Sequence, residues 1–184
     1  MKNNKKKQSE LRSWFTTVIL PVAIVLLINL FVCKLAVVNG SSMYPTMEHG
    51  DLLVVRLIAY EPQRGDVVVI DAPEGSRMAG EKIVKRIIAL GGDTVEVDYD
   101  GNCVLVNGEA LDEPYLNYAE ADPMEEYFSG DAFTVPEGFV YVLGDNRNHS
   151  GDSRDPTIGL IPEENVLGIE MARLPTGSWF GKGD

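Results

Sequence analysis

Between Arg12 and Lys34 the chain carries 21 consecutive uncharged residues, and positions 18–20 and 22–28 within them are wholly aliphatic. At about 1.5 Å per residue the stretch makes roughly 31 Å of helix, enough to cross about 30 Å of hydrocarbon. Pro21 and Asn29 are tolerated inside such a helix, and Trp14 and Lys34 stand where interfacial anchors belong. The pattern predicts one transmembrane helix over 14–34. A cleavable leader would have a shorter apolar region, about 7–15 residues, ending in a small-x-small site. The nearest such triplet is Val38-Asn39-Gly40, and the length of the run favours an uncleaved anchor.

Beyond residue 35 the period changes. Short β-branched runs at 51–55, 67–70 and 83–88 are bounded by Gly50 and Arg64-Gly65. Runs at 94–97 and 104–106 flank Asp100-Gly101, and Asn107-Gly108 follows, both dipeptides that favour tight hairpins. Further strands are predicted at 139–143 and 166–171. The segment 113–131 is acidic and aromatic without apolar periodicity, and reads as a surface excursion. No repeat, second domain or soluble helix of convincing length emerges. The expectation is a mainly β protein: an antiparallel β-sheet ectodomain over 35–184, with a hairpin and loop excursion at about 94–135, behind one N-terminal transmembrane helix.

Charge divides the chain at the same place. Residues 1–13 hold Lys2, Lys5, Lys6, Lys7 and Arg12 against Glu10, a net +4, whereas the other 171 residues carry 11 basic and 27 acidic side chains, a net −16. The positive-inside tendency puts the tail at 1–13 in the cytoplasm and everything after about residue 35 outside. An acidic body repels a phosphate backbone, so nucleic acid is excluded as a partner. Two cysteines, Cys33 and Cys103, and two histidines, His49 and His149, are too few for a disulfide framework or a zinc cluster, and no metal is expected.

Polar groups interrupt the strand pattern at three places. Gly40-Ser41-Ser42-Met43-Tyr44-Pro45-Thr46 sets two hydroxyls after a glycine and stiffens the exit with proline, which suits either a presented nucleophile or a polar turn. Lys85 sits among Ile83, Val84, Ile87 and Ile88, on the face of Ile83 and Ile87. Such a lysine is either desolvated, with its pKa lowered from about 10.4 toward 7–8 and its amine available as a general base, or an edge residue in water that blocks sheet aggregation. The third place is Gly144-Asp145-Asn146-Arg147-Asn148-His149-Ser150-Gly151-Asp152-Ser153-Arg154, where His149 with Asp145 or Asp152 also suggests a Ser-His-Asp arrangement.

The four motifs at 40–46, 64–68, 85–86 with 91–93, and 144–154 stand in the order found in bacterial type I signal peptidases, membrane-anchored Ser/Lys-dyad leader peptidases, which the chain resembles over its span and nearly all of its ectodomain. The resemblance implies a serine endopeptidase with Ser42 as nucleophile and Lys85 as general base. It further implies that Ser150 hydrogen-bonds and aims the amine, that Asp145, Asp152 and Arg154 are structural, and that Arg86 flanks the base. Met43, Ile83 and Val84 would meet the substrate, an extended peptide with small side chains near the cut. The oxyanion would lie near Gly40 and the Ser42 backbone N–H, with Gly40 standing where some members carry a helping hydroxyl. No cofactor or metal is implied. The implied partners are signal-peptide-bearing preproteins and the lipid bilayer, and the implied state is a monomer at the cytoplasmic membrane. A tethered binding protein and a self-cleaving repressor are the rivals; the first would not need Ser42, Lys85 and Ser150, and the second needs a DNA-binding segment where this chain has its apolar run.

Overall fold

The β-branched runs pair antiparallel, each with one face inward, as their alternation of apolar residues requires. A computed structural model of the chain describes residues 13–57, 60–116, 123–126 and 131–176. A π-helical segment at Phe15–Ile19 leads into helix α1 (Leu20–Phe31). No helix among the described residues is long and apolar enough to cross a membrane, and most of the basic tail lies outside the described residues. The expected helix limit at Lys34 is corrected. Strand β1 (Cys33–Val37) already begins there, because β2 (Leu52–Arg56) offers its backbone an antiparallel partner, with Lys34 opposite Val55.

The remaining strands are β3 (Val67–Asp71), β4 (Lys82–Leu90), β5 (Thr94–Asp98), β6 (Cys103–Val106), β7 (Glu109–Ala110), β8 (Phe133–Thr134), β9 (Phe139–Leu143), β10 (Ile161–Pro162) and β11 (Val166–Leu174). They form a seven-stranded sheet in the order β1-β2-β11-β3-β4-β9-β10 and a four-stranded sheet in the order β7-β6-β5-β8. One core lies between the small sheet and the large one, joining Val95, Val97, Val104 and Val106 to Ile88, Ala89, Tyr141 and Leu143. A second gathers Val68, Ile70, Ile83, Ile87, Val140 and Val142, and a third packs Met43 and Met47 against Leu53, Val55, Val67 and Val69.

One detail of pairing positions the site. β3 covers β4 from Lys82 to Arg86 on one side, but β9 covers it only from Arg86 to Leu90 on the other. The ladder stops because the Gly144 N–H turns away to Asp152 Oδ2, 3.1 Å off, which leaves 82–85 with one edge open among the described residues.

Two expectations in the excursion are revised. Asn107-Gly108 forms the expected hairpin turn with both φ positive (57° and 79°), but the Asp100-Gly101 turn widens: Asn102 takes the left-handed conformation and the Gly101 N–H is held by Asp98 Oδ1 at 2.7 Å. Glu113, expected on the surface, is buried, because its carboxylate pairs with the equally buried Arg147. Residues 117–122 and 127–130 of the excursion lie outside the described residues.

Removing one partner of a buried ion pair strands the other charge. Glu113→Ala should therefore lower the unfolding free energy by about 3–5 kcal/mol in urea titrations, whereas exposed Glu96→Ala should change it by less than about 0.5 kcal/mol.

Candidate active site

The serine turn is anchored from below and tied from the side. Met43 and Met47 are wholly buried, and the Met47 N–H reaches the Met43 carbonyl at 2.8 Å, so the chain between them is held as a tight turn. The expectation that Met43 meets substrate is corrected: its side chain is committed to the core beneath the turn. From the side, the Asn146 backbone N–H donates to the Ser42 carbonyl and Asn146 Nδ2 to the Ser41 carbonyl, both at 3.0 Å. The Thr46 hydroxyl donates to Asp145 Oδ2. Gly40 has φ +100°, a conformation that a side chain would strain. Its N–H donates to His49 Nδ1 at 3.2 Å, so the expected oxyanion role at Gly40 is also corrected: that donor is already engaged.

Lys85 stands opposite Val68 in β4 and faces the same way as buried Ile83 and Ile87; only 2% of it is exposed. Its amine has two partners, Ser42 Oγ at 2.8 Å and the Val84 carbonyl at 3.0 Å. Loss of water disfavours the ammonium and brings the pKa from 10.5 down to about 8, while Asp152 and then Asp145 keep it from falling further. A neutral amine has two N–H bonds and one lone pair. With one N–H on Val84, the lone pair is free to face the serine O–H, the geometry of a nucleophile with its base.

Behind the dyad, three arginines hold the motif at 144–154. Arg86 grips Asp145 with Nε–Oδ1 at 2.9 Å and Nη2–Oδ2 at 2.7 Å, reaches the Gly65 carbonyl at 2.8 Å, and lies 3.9 Å over the Tyr115 ring. Burial opposes its charge, but Asp145 outweighs that and holds the guanidinium above its ordinary pKa. Arg154 pairs with Asp152, and Arg147 with Glu113, to which the Tyr115 hydroxyl also donates at 2.6 Å.

The family description that matches the chain, over residues 11–175, is signal peptidase, peptidase S26. The chain belongs to this family. It is 40% identical to a signal peptidase I of Bacillus licheniformis, over 92% of this chain and 91% of that one. It is 37% identical to a probable signal peptidase I-1 of Synechocystis sp., over 88% and 82% respectively. A solved signal peptidase I of Enterococcus faecalis V583 aligns with a TM-score of 0.49 and 34% identity, over 60% of this chain and 97% of that one. Membership makes the chain a serine endopeptidase.

As a signal peptidase family member it departs from expectation at Ser150. That hydroxyl does not reach the lysine amine; its Oγ is buried without a hydrogen-bond partner among the described residues, and the Val84 carbonyl takes the place expected for it. Ser150 packs instead on Gly144, where an added Cβ would come within 2.2 Å of Oγ and 2.5 Å of the Ser42 carbonyl, so only glycine fits between the two serines. The alternative triad has no support: His149 is exposed on a short 3₁₀ turn, Asp145 and Asp152 are held by arginines, and Ser42 is bonded to Lys85. Thr46 and Asn146 lay inside motifs already singled out, yet their bonds were not foreseen. Glu113 and Tyr115 carried no local signal, since what defines them is a distant arginine, Arg147 for Glu113 and Arg86 for Tyr115.

Lys85 can serve as a base only as the neutral amine. The rate at saturating preprotein should rise about tenfold per pH unit below about 8 and level off above it, because the ammonium deprotonates through that value. Folding has a matching signature. The folded chain binds fewer protons than the unfolded one between about 8 and 10.5, so stability grows with pH across that window. Lys85→Met, which removes the buried amine, should be inactive and more stable by about 3 kcal/mol at pH 7 in thermal or urea unfolding.

Proposed function

We propose that this endopeptidase removes signal peptides from exported preproteins at the outer face of the cytoplasmic membrane, with Ser42 as nucleophile and neutral Lys85 as general base. The observation that carries the reading is the 2.8 Å contact between Ser42 Oγ and an amine shut off from water. Lys85 takes the serine proton as Oγ attacks the scissile carbonyl. The ammonium then gives that proton to the leaving amine, and an acyl-enzyme remains. Lys85 next deprotonates a water, which releases the signal peptide as a free acid. Ser150 takes part only once the charge has formed: its hydroxyl does not reach the neutral amine and would have to turn toward Lys85 to accept the third N–H of the ammonium, which would give a partner to a buried group that otherwise costs about 1–3 kcal/mol.

The open edge of β4 at 82–85 supports an extended substrate that adds a strand there, beside Ile83 and Val84. The Ile87 backbone faces β3, through bonds to Gly65 and Asp66, and strand alternation turns the Val84 backbone the opposite way, toward that edge. Every group invoked belongs to one chain, so a monomer suffices.

Anchoring rests on the exposure of apolar side chains. From Trp14 to Leu26 the helical segment leaves Trp14, Phe15, Val18, Ile19, Leu20, Val22, Ile24, Val25 and Leu26 between 42% and 67% exposed. The apolar character continues on the sheet, where the rows Leu35–Val54–Ala172 and Val37–Leu52–Leu174 cross from β1 to β11, with Leu35, Val37 and Leu174 more than half exposed. Water penalises such a surface and a bilayer does not.

With the full-length chain in detergent micelles and a preprotein as substrate, Ser42→Ala and Lys85→Ala should each cut the rate by about 10³-fold or more. Cleavage that survives in either variant would remove the dyad. In flotation assays the chain should rise with lipid vesicles after an alkaline wash, and recovery in the soluble fraction would withdraw the anchor.

A further inference from the structure

A tetrahedral intermediate at Ser42 puts negative charge on the former carbonyl oxygen, and that charge needs donors. The Gly40 N–H is engaged by His49 Nδ1, whereas the Ser42 N–H makes no hydrogen bond among the described residues. The Ser42 N–H shares a planar, trans peptide unit with the Ser41 carbonyl, and in such a unit C=O and N–H point in opposite directions. Whatever fixes the Ser41 carbonyl therefore aims the Ser42 N–H.

Asn146 fixes that carbonyl. Its Nδ2 donates to the Ser41 oxygen and its own backbone N–H donates to the Ser42 oxygen, both at 3.0 Å, so two consecutive peptide planes around the nucleophile are set by one residue. Both carbonyls are acceptors, which places the amide nitrogen rather than the amide oxygen toward Ser41. Asn146 is itself held by its neighbours: Asp145 is gripped by Arg86, and Arg147 by Glu113.

We propose that Asn146 is a positioning residue for the oxyanion: by holding the Ser41 carbonyl it directs the Ser42 N–H at the developing charge, and by donating to that carbonyl it makes the N–H a stronger donor. The inference rests on Ser42 as nucleophile. It assigns Asn146 no contact with substrate, and it assigns the backbone N–H of residue 146, which no substitution other than proline removes, the separate work of holding the turn.

The test uses the full-length chain in micelles with a preprotein substrate and a substrate-like peptide aldehyde, whose hemiacetal oxygen takes the position of the oxyanion. Asn146→Ala should lower kcat about 10- to 100-fold, less than the 10²–10³ of a deleted donor, with KM changed by less than about twofold and the pH midpoint kept near 8. Aldehyde affinity should weaken by the same factor as kcat/KM. Asn146→Leu, which keeps the side-chain shape without the donor, should behave alike, and its thermal unfolding reports whether the turn survives. Cleavage by folded Asn146→Leu within about threefold of wild type would overturn the proposal. So would a kcat loss that shifts the pH midpoint, or one that leaves aldehyde affinity intact. If these results appear while Ser42→Ala and Lys85→Ala are inactive, only the role of Asn146 falls; if Lys85→Ala still cleaves, the dyad beneath it falls first.

Discussion

A lysine amine kept from water within hydrogen-bond reach of one serine hydroxyl is the constraint from which the other arrangements follow. In water that amine would be an ammonium at neutral pH and useless as a base. Surrounding it with Val68, Ile83 and Ile87 lowers its pKa, but desolvation of this kind costs folding free energy. Asp152 and Asp145 work in the opposite direction. The balance settles near 8, which in the proposed mechanism leaves some neutral amine at pH 7 and a conjugate acid still strong enough to protonate a leaving amine.

Desolvation alone would leave the serine free to turn away, so the second requirement is a rigid nucleophile. Two buried methionines hold the turn from below, while Asn146 and the Thr46–Asp145–Arg86 chain hold it from the side. Each tie comes from a different part of the sequence, and they meet because β4 and β9 are adjacent in the large sheet. The same adjacency ends early at Gly144, and the gap it leaves is the open edge that a substrate strand would need.

Much of this was legible in the sequence, and the limits are physical. Strand alternation located Lys85 on the face of Ile83 and Ile87 because side-chain direction in a strand is a local property with period two. Seven of the eleven strands among the described residues were placed within a few residues for the same reason, whereas β1 and the two-residue strands β7, β8 and β10 were not predicted. Burial of Glu113 was not legible, since a carboxylate in an acidic segment becomes a core residue only through Arg147, a contact the local pattern does not encode. The start of β1 at Cys33 was missed because the uncharged run continues through it, and only pairing with β2 separates strand from helix there. Met43 was read from the motif as facing substrate, whereas packing against Val67 and Val69 decides where its side chain goes.

The acidic excursion acquires a purpose from the same contacts. Arg86–Asp145, Arg147–Glu113 and Arg154–Asp152 are all largely buried, and apolar residues of similar volume would stabilise a fold about as well. What apolar packing does not supply is direction. A bidentate arginine sets the angle as well as the position of its partner, and these three fix the backbone at 144–147 from three sides. Two of them are completed by the excursion, through Glu113 on Arg147 and the Tyr115 ring on Arg86. The excursion thus reaches the serine without touching it: it steadies Arg147 and the Arg86 that holds Asp145, Asn146 between residues 145 and 147 holds the Ser41 and Ser42 carbonyls, and those carbonyls set where the hydroxyl points.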